Sequence, residues 1–229
     1  MGSVDEKNII LEKDLDGKGM QNDELQNPFL AKAKEAVCLI KYKGASGTGF
    51  FCDISGETFL ITNNHVYPQN SMVTEKFIDI TINGNHKRIY LEGRGKWVNS
   101  DMDFTCIEIK KEDNIKATFS LDDNILKSNY SNKDYLNKSV TVYGLNTKDK
   151  YKLYYSYGYI KESGKPSFTH TCNTYPGCSG GCIVIQNTNS VIGIHRGAHK
   201  ENNVNVGIFI SDVIEDIRDK VNHCSYNLL

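Results

Sequence analysis

The sequence predicts an all-β protein. Each half of the chain contains about six short runs rich in β-branched and aromatic residues, separated by Gly, Asn and Asp. No helical pattern lies between these runs, as parallel βαβ units would require. Two antiparallel β-barrels, or one large sandwich, are the architectures that such a pattern favours.

In the first half, the Asn83-Gly84 pair separates two strand-like runs and predicts a two-residue hairpin turn. We assign residues 27–117 to an N-terminal barrel. Its predicted strands are AVCLIKYKG, GTGFFCDI, ETFLITNNHV, KFIDITIN, KRIYLEG and DFTCIEI.

Residues 118–139 are polar with scattered apolar positions, and we interpret them as the connection between two halves. The strand pattern then resumes, which assigns residues 140–229 to a C-terminal barrel followed by a helix. The predicted strands here are VTVYGLN, YKLYYSYGYI, SFTHTCNT, GCIVIQN, SVIGIHRGA and VNVGIFI.

Two helices and one extension complete the prediction. Residues 1–26 are polar and are expected to form a flexible extension. Asn27 and Pro28 are suited to cap and start a short helix. In the last segment, Ser211 is a candidate cap, and apolar residues follow at helical spacing: Val213, Ile214, Ile217 and Val221.

Composition argues against several classes of function. The chain has 229 residues, a formal net charge of −1 and 39% hydrophobic residues, so we expect neither nucleic-acid nor membrane binding. The polar, acidic N-terminus does not resemble a secretory signal, which favours a cytoplasmic protein.

Seven cysteines are best interpreted as buried free thiols in a reducing compartment, because their number is odd and several lie within apolar runs. The alternative is a zinc site made from HTCNTYPGCSGGC, which holds one His and three Cys. No Cys-x-x-Cys pair accompanies them. We therefore expect no metal and no other cofactor.

Ser179 is the first candidate catalytic residue, because GCSGG surrounds it with glycines. This matches the G-x-S-x-G nucleophile elbow, but that elbow needs a helix after the serine, and here the strand-like CIVIQ follows. Glycines instead allow backbone N–H groups to converge on one point, as an oxyanion hole requires. The N–H groups of Gly177 and Ser179 are the candidate donors.

His65 and Asp103 are the candidate base and orienting acid. His65 ends the apolar run FLITNNHVY, and Asp103 directly precedes a strand that enters the core. Asp101 is the competing acid, but it is expected to lie in a solvated loop. A buried carboxylate can hold the tautomer of the histidine and stabilise its imidazolium form.

The motifs GTGFF, ITNNHV, DFT, PGCSGG and VIGIHRGA, with the order His65, Asp103, Ser179, resemble the chymotrypsin-like proteases over about residues 36–217. The match is better to glutamyl endopeptidases, HtrA-like enzymes and viral 3C proteases than to trypsin itself. The resemblance implies two six-stranded antiparallel barrels with the three catalytic residues in the cleft between them.

One position departs from the trypsin pattern. In trypsin-like enzymes an Asp precedes the nucleophile and pairs with a newly cleaved N-terminus, whereas this chain has Cys178. A thiol cannot hold a buried ammonium as a carboxylate does. We therefore predict that activity needs no trypsin-style cleavage at the N-terminus.

The resemblance also implies a substrate pocket. In glutamyl endopeptidases and 3C proteases, a Thr five residues before the nucleophile and a His on the next strand bind the P1 side chain, and these positions are Thr174 and His195. Both suit Glu or Gln at P1, and Asn173 argues against a basic P1 residue. The backbone of Arg196, Gly197 and Ala198 is expected to pair with the substrate as an added β-strand.

The sequence therefore predicts a serine endopeptidase with a protein or peptide substrate. Arg196, His199 and Lys200 add positive charge that favours acidic substrates slightly, unless they are simply solvated. One alternative is a catalytically silent or partner-activated module with the same fold, and a regulatory protein partner remains a hypothesis. The others are a Cys178 nucleophile and a viral polyprotein protease.

Overall fold

The computed structural model describes residues 9–10, 29–125, 127, 130–199 and 204–226. The predicted flexible extension, residues 1–26, lies outside the described residues except for residues 9–10. The structure is mostly strand with few helices, which confirms the predicted fold class. The strands of the first half are β1 (Ile9–Ile10), β2 (Val37–Tyr42), β3 (Ala45–Ile54), β4 (Glu57–Thr62), β5 (Phe77–Ile82), β6 (Asn85–Tyr90), β7 (Lys96–Asn99) and β8 (Phe104–Ile109).

Strands β2 to β8 form one antiparallel run in the order β6-β5-β2-β3-β4-β8-β7. Asn83 and Gly84 join β5 to β6, and their φ angles of 45° and 79° are both positive, as the predicted two-residue turn requires. Strand β7 was not predicted, because KWVN is short and half-exposed throughout.

Six strands of the second half form a closed antiparallel barrel. They are β10 (Ser139–Asn146), β11 (Lys152–Ser163), β12 (Ser167–His170), β13 (Cys182–Ile185), β14 (Ser190–His199) and β15 (Asn205–Phe209). The order β10-β11-β12-β15-β14-β13 returns to β10, so each strand has two neighbours. Apolar side chains from both halves merge into one large core cluster that includes Phe50, Phe119 and Tyr143.

A short strand connects the two sets of strands. Strand β9 (Phe119–Leu121) pairs in parallel with β3 on one edge and with the start of β14 on the other. It lies within residues 118–139, which the sequence analysis treated as a connection without strands. Three residues give too little alternation to be recognised in sequence, although Phe119 and Leu121 are buried and Ser120 is exposed.

The two edges of β14 matter for the site. Strand β15 pairs with one edge as far as Ala198, opposite Asn205. Strand β13 pairs with the other edge only as far as Ile194, opposite Cys182. Because β15 occupies the first edge, β1 must lie on the second, where Ile9 and Ile10 pair antiparallel with His199 and Ala198.

Three α-helices accompany the strands: α1 (Leu30–Ala36), the four-residue α2 (Ser71–Thr74) and α3 (Ile210–Tyr226). The predicted starting residues of α1, Asn27 and Pro28, lie outside the described residues. The expected cap of α3 was wrong: Ser211 is already helical, and its hydroxyl lies 3.1 Å from the Tyr130 hydroxyl. No described helix is long and apolar enough to cross a membrane.

Candidate active site

Two strand ends bring His65 and Asp103 together. Strands β4 and β8 pair antiparallel, with Thr62 opposite Thr105, so the residues just beyond these positions lie at the same end of the sheet. His65 Nδ1 lies 2.7 Å from Asp103 Oδ2, and the His65 backbone N–H donates to Asp103 Oδ1 at 2.9 Å. The carboxylate therefore fixes both the ring and the backbone of the histidine.

Asp103 is held firmly and is nearly buried. Its φ of 60° is left-handed, and its carbonyl accepts a hydrogen bond from Asn63 Nδ2 at 3.0 Å. Asp101, the competing acid, is exposed, and among the described residues no hydrogen bond joins it to His65. The second partner of the Asp103 carboxylate is Arg196, whose Nε lies 3.3 Å from Oδ2.

This ion pair was not expected. Sequence analysis treated the Arg196 side chain as added positive charge for substrates or as a solvated group, yet only 13% of it is exposed. Strand β14 places it against the carboxylate that orients His65. Arg196 therefore contributes its side chain to the charge balance of Asp103.

Thr48 on β3 anchors the loop that carries Ser179. Its backbone N–H donates to the Ser179 carbonyl at 2.8 Å, and its hydroxyl donates to the Gly177 carbonyl at 2.6 Å. The same hydroxyl accepts from the backbone N–H of Leu145 at 3.0 Å. Sequence reasoning missed this residue, because a threonine within a strand carries no signal of a contact with residues 129 positions away.

Two hydrogen bonds from Thr147 fix the peptide between Pro176 and Gly177. The Pro176 carbonyl accepts hydrogen bonds from Thr147 N at 2.9 Å and Thr147 Oγ1 at 2.8 Å. In a planar trans peptide the next N–H points the opposite way, so the Gly177 N–H is turned away from Thr147. Gly177 has a φ of +103°, and an added Cβ would lie 2.9 Å from the Leu145 carbonyl oxygen, so only glycine fits.

Contacts through Arg196 link Ser179 to the other two candidates. Ser179 Oγ donates to the Arg196 carbonyl at 3.4 Å, and the Arg196 side chain reaches Asp103. His65 Nε2 is buried and has no hydrogen-bond partner among the described residues. The structure thus groups the three residues without a Ser179–His65 hydrogen bond. Such bonds are often loose in unliganded active sites.

The model of the trypsin-like peptidase domain family matches residues 47–194, which include all three residues. The chain belongs to the trypsin-like peptidase family. A comparison with curated proteins gives no match. As a member of this family, and with serine proteases among its structural neighbours, the chain is a serine endopeptidase.

Solved structures of proteases share its fold. The Rv3671c protease of M. tuberculosis, in its inactive form, has a TM-score of 0.62 at 14% identity, over 88% of this chain and 96% of that one. The serine protease domain of the Sesbania mosaic virus polyprotein has a TM-score of 0.54 at 21% identity, over 77% and 88%. The serine endoprotease of Yersinia pestis has a TM-score of 0.62 at 15% identity, over 83% and 64%.

The predicted P1 residues of this trypsin-like peptidase are both fully buried. Thr174 Oγ1 has no hydrogen-bond partner among the described residues. His195 Nδ1 on β14 lies 3.3 Å from His170 Nε2 on β12, across the intervening strand β15. Sequence analysis considered His170 only for the alternative zinc site and not for the pocket. Burial together with the nearby His195 holds the pKa of His170 well below its ordinary value.

The thiol of Cys178 is buried against strand β10. Its sulfur is fully buried, accepts from the Tyr175 N–H at 3.4 Å and lies 3.7 Å from the Leu145 carbonyl. An added Cβ at Gly144 would lie 2.6 Å from that sulfur, so the thiol fills a gap in the barrel core.

Across the described residues no group of three or more His, Cys, Asp or Glu could hold a metal ion. The six cysteines in this part of the chain are buried and form no disulfide there: Cys38, Cys52, Cys106, Cys172, Cys178 and Cys182.

Proposed function

We propose that this endopeptidase uses Ser179 as nucleophile, His65 as general base and then acid, and Asp103 to orient His65. The observation that carries the proposal is the His65–Asp103 pair at 2.7 Å, with His65 Nε2 buried and unpartnered among the described residues. Because Nδ1 faces the carboxylate, Nε2 is the ring nitrogen left to take a proton from a serine.

The reaction needs one rotation of the serine. Ser179 Oγ leaves the Arg196 carbonyl, gives its proton to His65 Nε2 and attacks the substrate carbonyl carbon. His65 then returns the proton to the leaving amine, and a water molecule, deprotonated by the same nitrogen, hydrolyses the acyl-enzyme. The Arg196 carbonyl, released by Ser179, becomes free to accept the N–H of the P1 residue.

The N–H groups of Gly177 and Ser179 are the proposed oxyanion donors. The orientation of the Pro176–Gly177 peptide, held by two hydrogen bonds from Thr147, supports the Gly177 assignment. A donor that is oriented before the reaction costs no reorganisation when charge develops on the substrate oxygen. No cofactor enters this mechanism.

We propose Glu or Gln at P1, bound by Thr174 and His195. A buried hydroxyl without a partner costs about 1–3 kcal/mol, which a bound carboxylate or amide would recover. His170 is neutral because its pKa is held well below its ordinary value, and its Nδ1 has no partner in the described part of the chain. A His170 that donates from Nε2 to His195 Nδ1 leaves the proton of His195 on Nε2, where it can donate to the substrate.

The substrate is proposed to bind as an extended strand along residues 196–198 of β14. The buried free thiols fit a reducing, cytoplasmic setting. Binding of nucleic acid or membrane is not part of the proposal. An activating protein partner is kept as a hypothesis for a chain whose isolated form proves inactive.

Cleavage of a peptide library with every residue at P1 tests the proposal. We expect cleavage after Glu or Gln that disappears in Ser179→Ala. Thr174→Val keeps the shape of the side chain but removes its hydroxyl, and should lower kcat/KM for these substrates about 10-fold or more relative to a Leu substrate. Cleavage by the intact chain with an unchanged P1 preference in Thr174→Val would contradict the pocket assignment.

The second candidate is a catalytically silent or partner-activated module. The observation that favours it is the Ser179 hydroxyl, which bonds to the Arg196 carbonyl rather than to His65. A silent module would bind library peptides equally well with and without Ser179→Ala and would cleave none of them. The same peptides therefore separate the two candidates.

A further inference from the structure

The Arg196 side chain places a cation inside the candidate active site. Only 13% of it is exposed, and its Nε lies 3.3 Å from Asp103 Oδ2. The same carboxylate oxygen lies 2.7 Å from His65 Nδ1. One oxygen atom is therefore shared by the proposed base and by a guanidinium, which keeps its proton at every pH where proteins are folded.

An irregularity in β14 directs this side chain toward Asp103. His195 is opposite Gly207 on β15, whereas Gly197 is opposite Val206, so Arg196 is one extra residue on its strand. An extra residue of this kind bends a strand and re-aims a side chain. The guanidinium thereby reaches from the barrel of the second half to the acid that directly precedes β8 in the first half.

The position of this cation affects the protonation of His65. A protonated His65 and Arg196 carry like charges, and each has a nitrogen within 3.3 Å of the same oxygen. Like charges at such short separations disfavour one another, and burial reduces the screening by water. Arg196 therefore balances part of the Asp103 charge that would otherwise favour the protonated ring.

We propose that Arg196 is a positioning residue that acts through Asp103, and that its charge sets the lower pH limit of proteolysis. This inference rests on the proposed function, in which a neutral His65 takes the proton of the serine. A protonated His65 cannot act as a base. A cation that disfavours this form therefore extends activity to lower pH.

The other charged groups near Asp103 do not take this role. Among the described residues, His65 and Arg196 are the side chains that lie within ion-pair distance of its carboxylate. Asp101 in the same loop is exposed. Lys220 on α3 lies 5.7 Å from the centre of the Phe104 ring, but its ammonium pairs with Asp216 at 2.6 Å.

The remaining titratable groups on this side are histidines of β12 and β14. His195 Nδ1 lies 3.3 Å from His170 Nε2, in the proposed P1 pocket. His199 lies three residues beyond Arg196 on β14, and its backbone N–H donates to the Val204 carbonyl. Because these rings can titrate in the same pH range as His65, the test uses a reagent that needs no P1 side chain.

The atom that makes the contact allows charge and hydrogen bonding to be tested separately. The amide nitrogen of glutamine lies as many bonds from Cα as the Nε of arginine. Arg196→Gln therefore keeps an N–H donor at this position and removes the charge. Arg196→Lys keeps a charge without the guanidinium, and Arg196→Met removes both charge and donor.

The experiment measures how fast a fluorophosphonate labels Ser179 between about pH 5 and pH 9. In this reaction Ser179 Oγ bonds to phosphorus, fluoride leaves, and His65 Nε2 takes the proton of the serine. The rate of the intact chain should fall on the acid side as His65 becomes protonated. We expect the midpoint of this fall to move up by about one pH unit in Arg196→Gln and in Arg196→Met, and to stay near its original position in Arg196→Lys.

Arg88→Gln is the matched control. Arg88 also pairs through Nε, with Asp79 Oδ1 at 2.8 Å, but it lies on β6, and three strands separate β6 from β4 in the sheet. This variant should be labelled like the intact chain at every pH. A midpoint that stays in place in both neutral variants, or that moves equally far in Arg196→Lys, overturns the proposal.

The plateau rate separates the alternatives. A purely structural role for Arg196 would lower the plateau in the neutral variants and leave the midpoint in place, which also overturns the proposal. If Ser179 of the intact chain is not labelled at any pH, the proposed function itself has failed. Labelling of the intact chain with an unmoved midpoint in Arg196→Gln and Arg196→Met refutes only the role of Arg196.

Discussion

Gly177→Ala is the substitution whose effect the structure defines most closely. The φ of +103° is unfavourable for any residue with a Cβ, and this backbone strain costs about 1–3 kcal/mol. The new Cβ would also lie 2.6 Å from Thr147 Cγ2 and 2.9 Å from the Leu145 carbonyl oxygen. The methyl group of Thr147 can rotate, but the carbonyl belongs to strand β10 and can give way only if the loop moves.

A shift of the loop would misalign the Gly177 N–H. Loss of one oxyanion donor costs about 10²–10³-fold in kcat, so we expect a fall of that size with little change in KM. Gly56→Ala is the matched control, because Gly56 has a φ of +88° but no atom within 4 Å of an added Cβ. The control should lose stability through backbone strain alone and keep its kcat.

The assay combines kcat and KM for a Glu peptide with urea unfolding of both variants. Gly177→Ala should lose at least about 1 kcal/mol more stability than Gly56→Ala, because it adds crowding to the same backbone strain. If Gly177→Ala keeps kcat within twofold and is as stable as Gly56→Ala, the reasoning about this loop is refuted.

Three further predictions follow from the described contacts. Asp103→Asn should lower kcat about 10⁴-fold while Asp101→Asn stays near wild type, and equal losses in a peptide assay would contradict the choice of acid. The pKa of His170 is held well below its ordinary value in the folded chain. Below about pH 6.5 the unfolded chain therefore binds a proton at this histidine that the folded chain does not bind. The free energy of unfolding is fully present above that pH and falls by up to about 1.4 kcal/mol per pH unit below it. His170→Gln should weaken this pH dependence of the unfolding free energy, and an unchanged slope would count against it. Cys178→Ala should retain kcat within a few-fold despite some loss of stability. A variant that is folded but inactive would instead support Cys178 as the nucleophile.

The parts of the fold that sequence predicted are those with local signals. Asn83-Gly84 predicted its hairpin because both residues tolerate a positive φ. His65 and Asp103 could be paired from sequence because each flanks an apolar run, and the antiparallel pairing of β4 with β8 brings those flanks together. Strands β1 and β9 were missed because two or three residues show no usable alternation.

The parts of the site that sequence could not predict depend on contacts between distant residues. Thr48 and His170 look like ordinary strand residues until the fold sets them against Gly177 and His195. The Arg196–Asp103 ion pair likewise joins positions far apart in the chain, and a charged residue on a strand is more often solvated. Such roles become visible only when the sheet registers are known.

The central claim is that Ser179 is an activated nucleophile. The most direct test is to treat the chain with a fluorophosphonate, a reagent that bonds to activated serines, and to locate the adduct by peptide mass spectrometry. The account predicts a single adduct on Ser179, which is absent from Ser179→Ala and strongly reduced in Asp103→Asn. An adduct on Cys178, or no adduct on any residue, would contradict it.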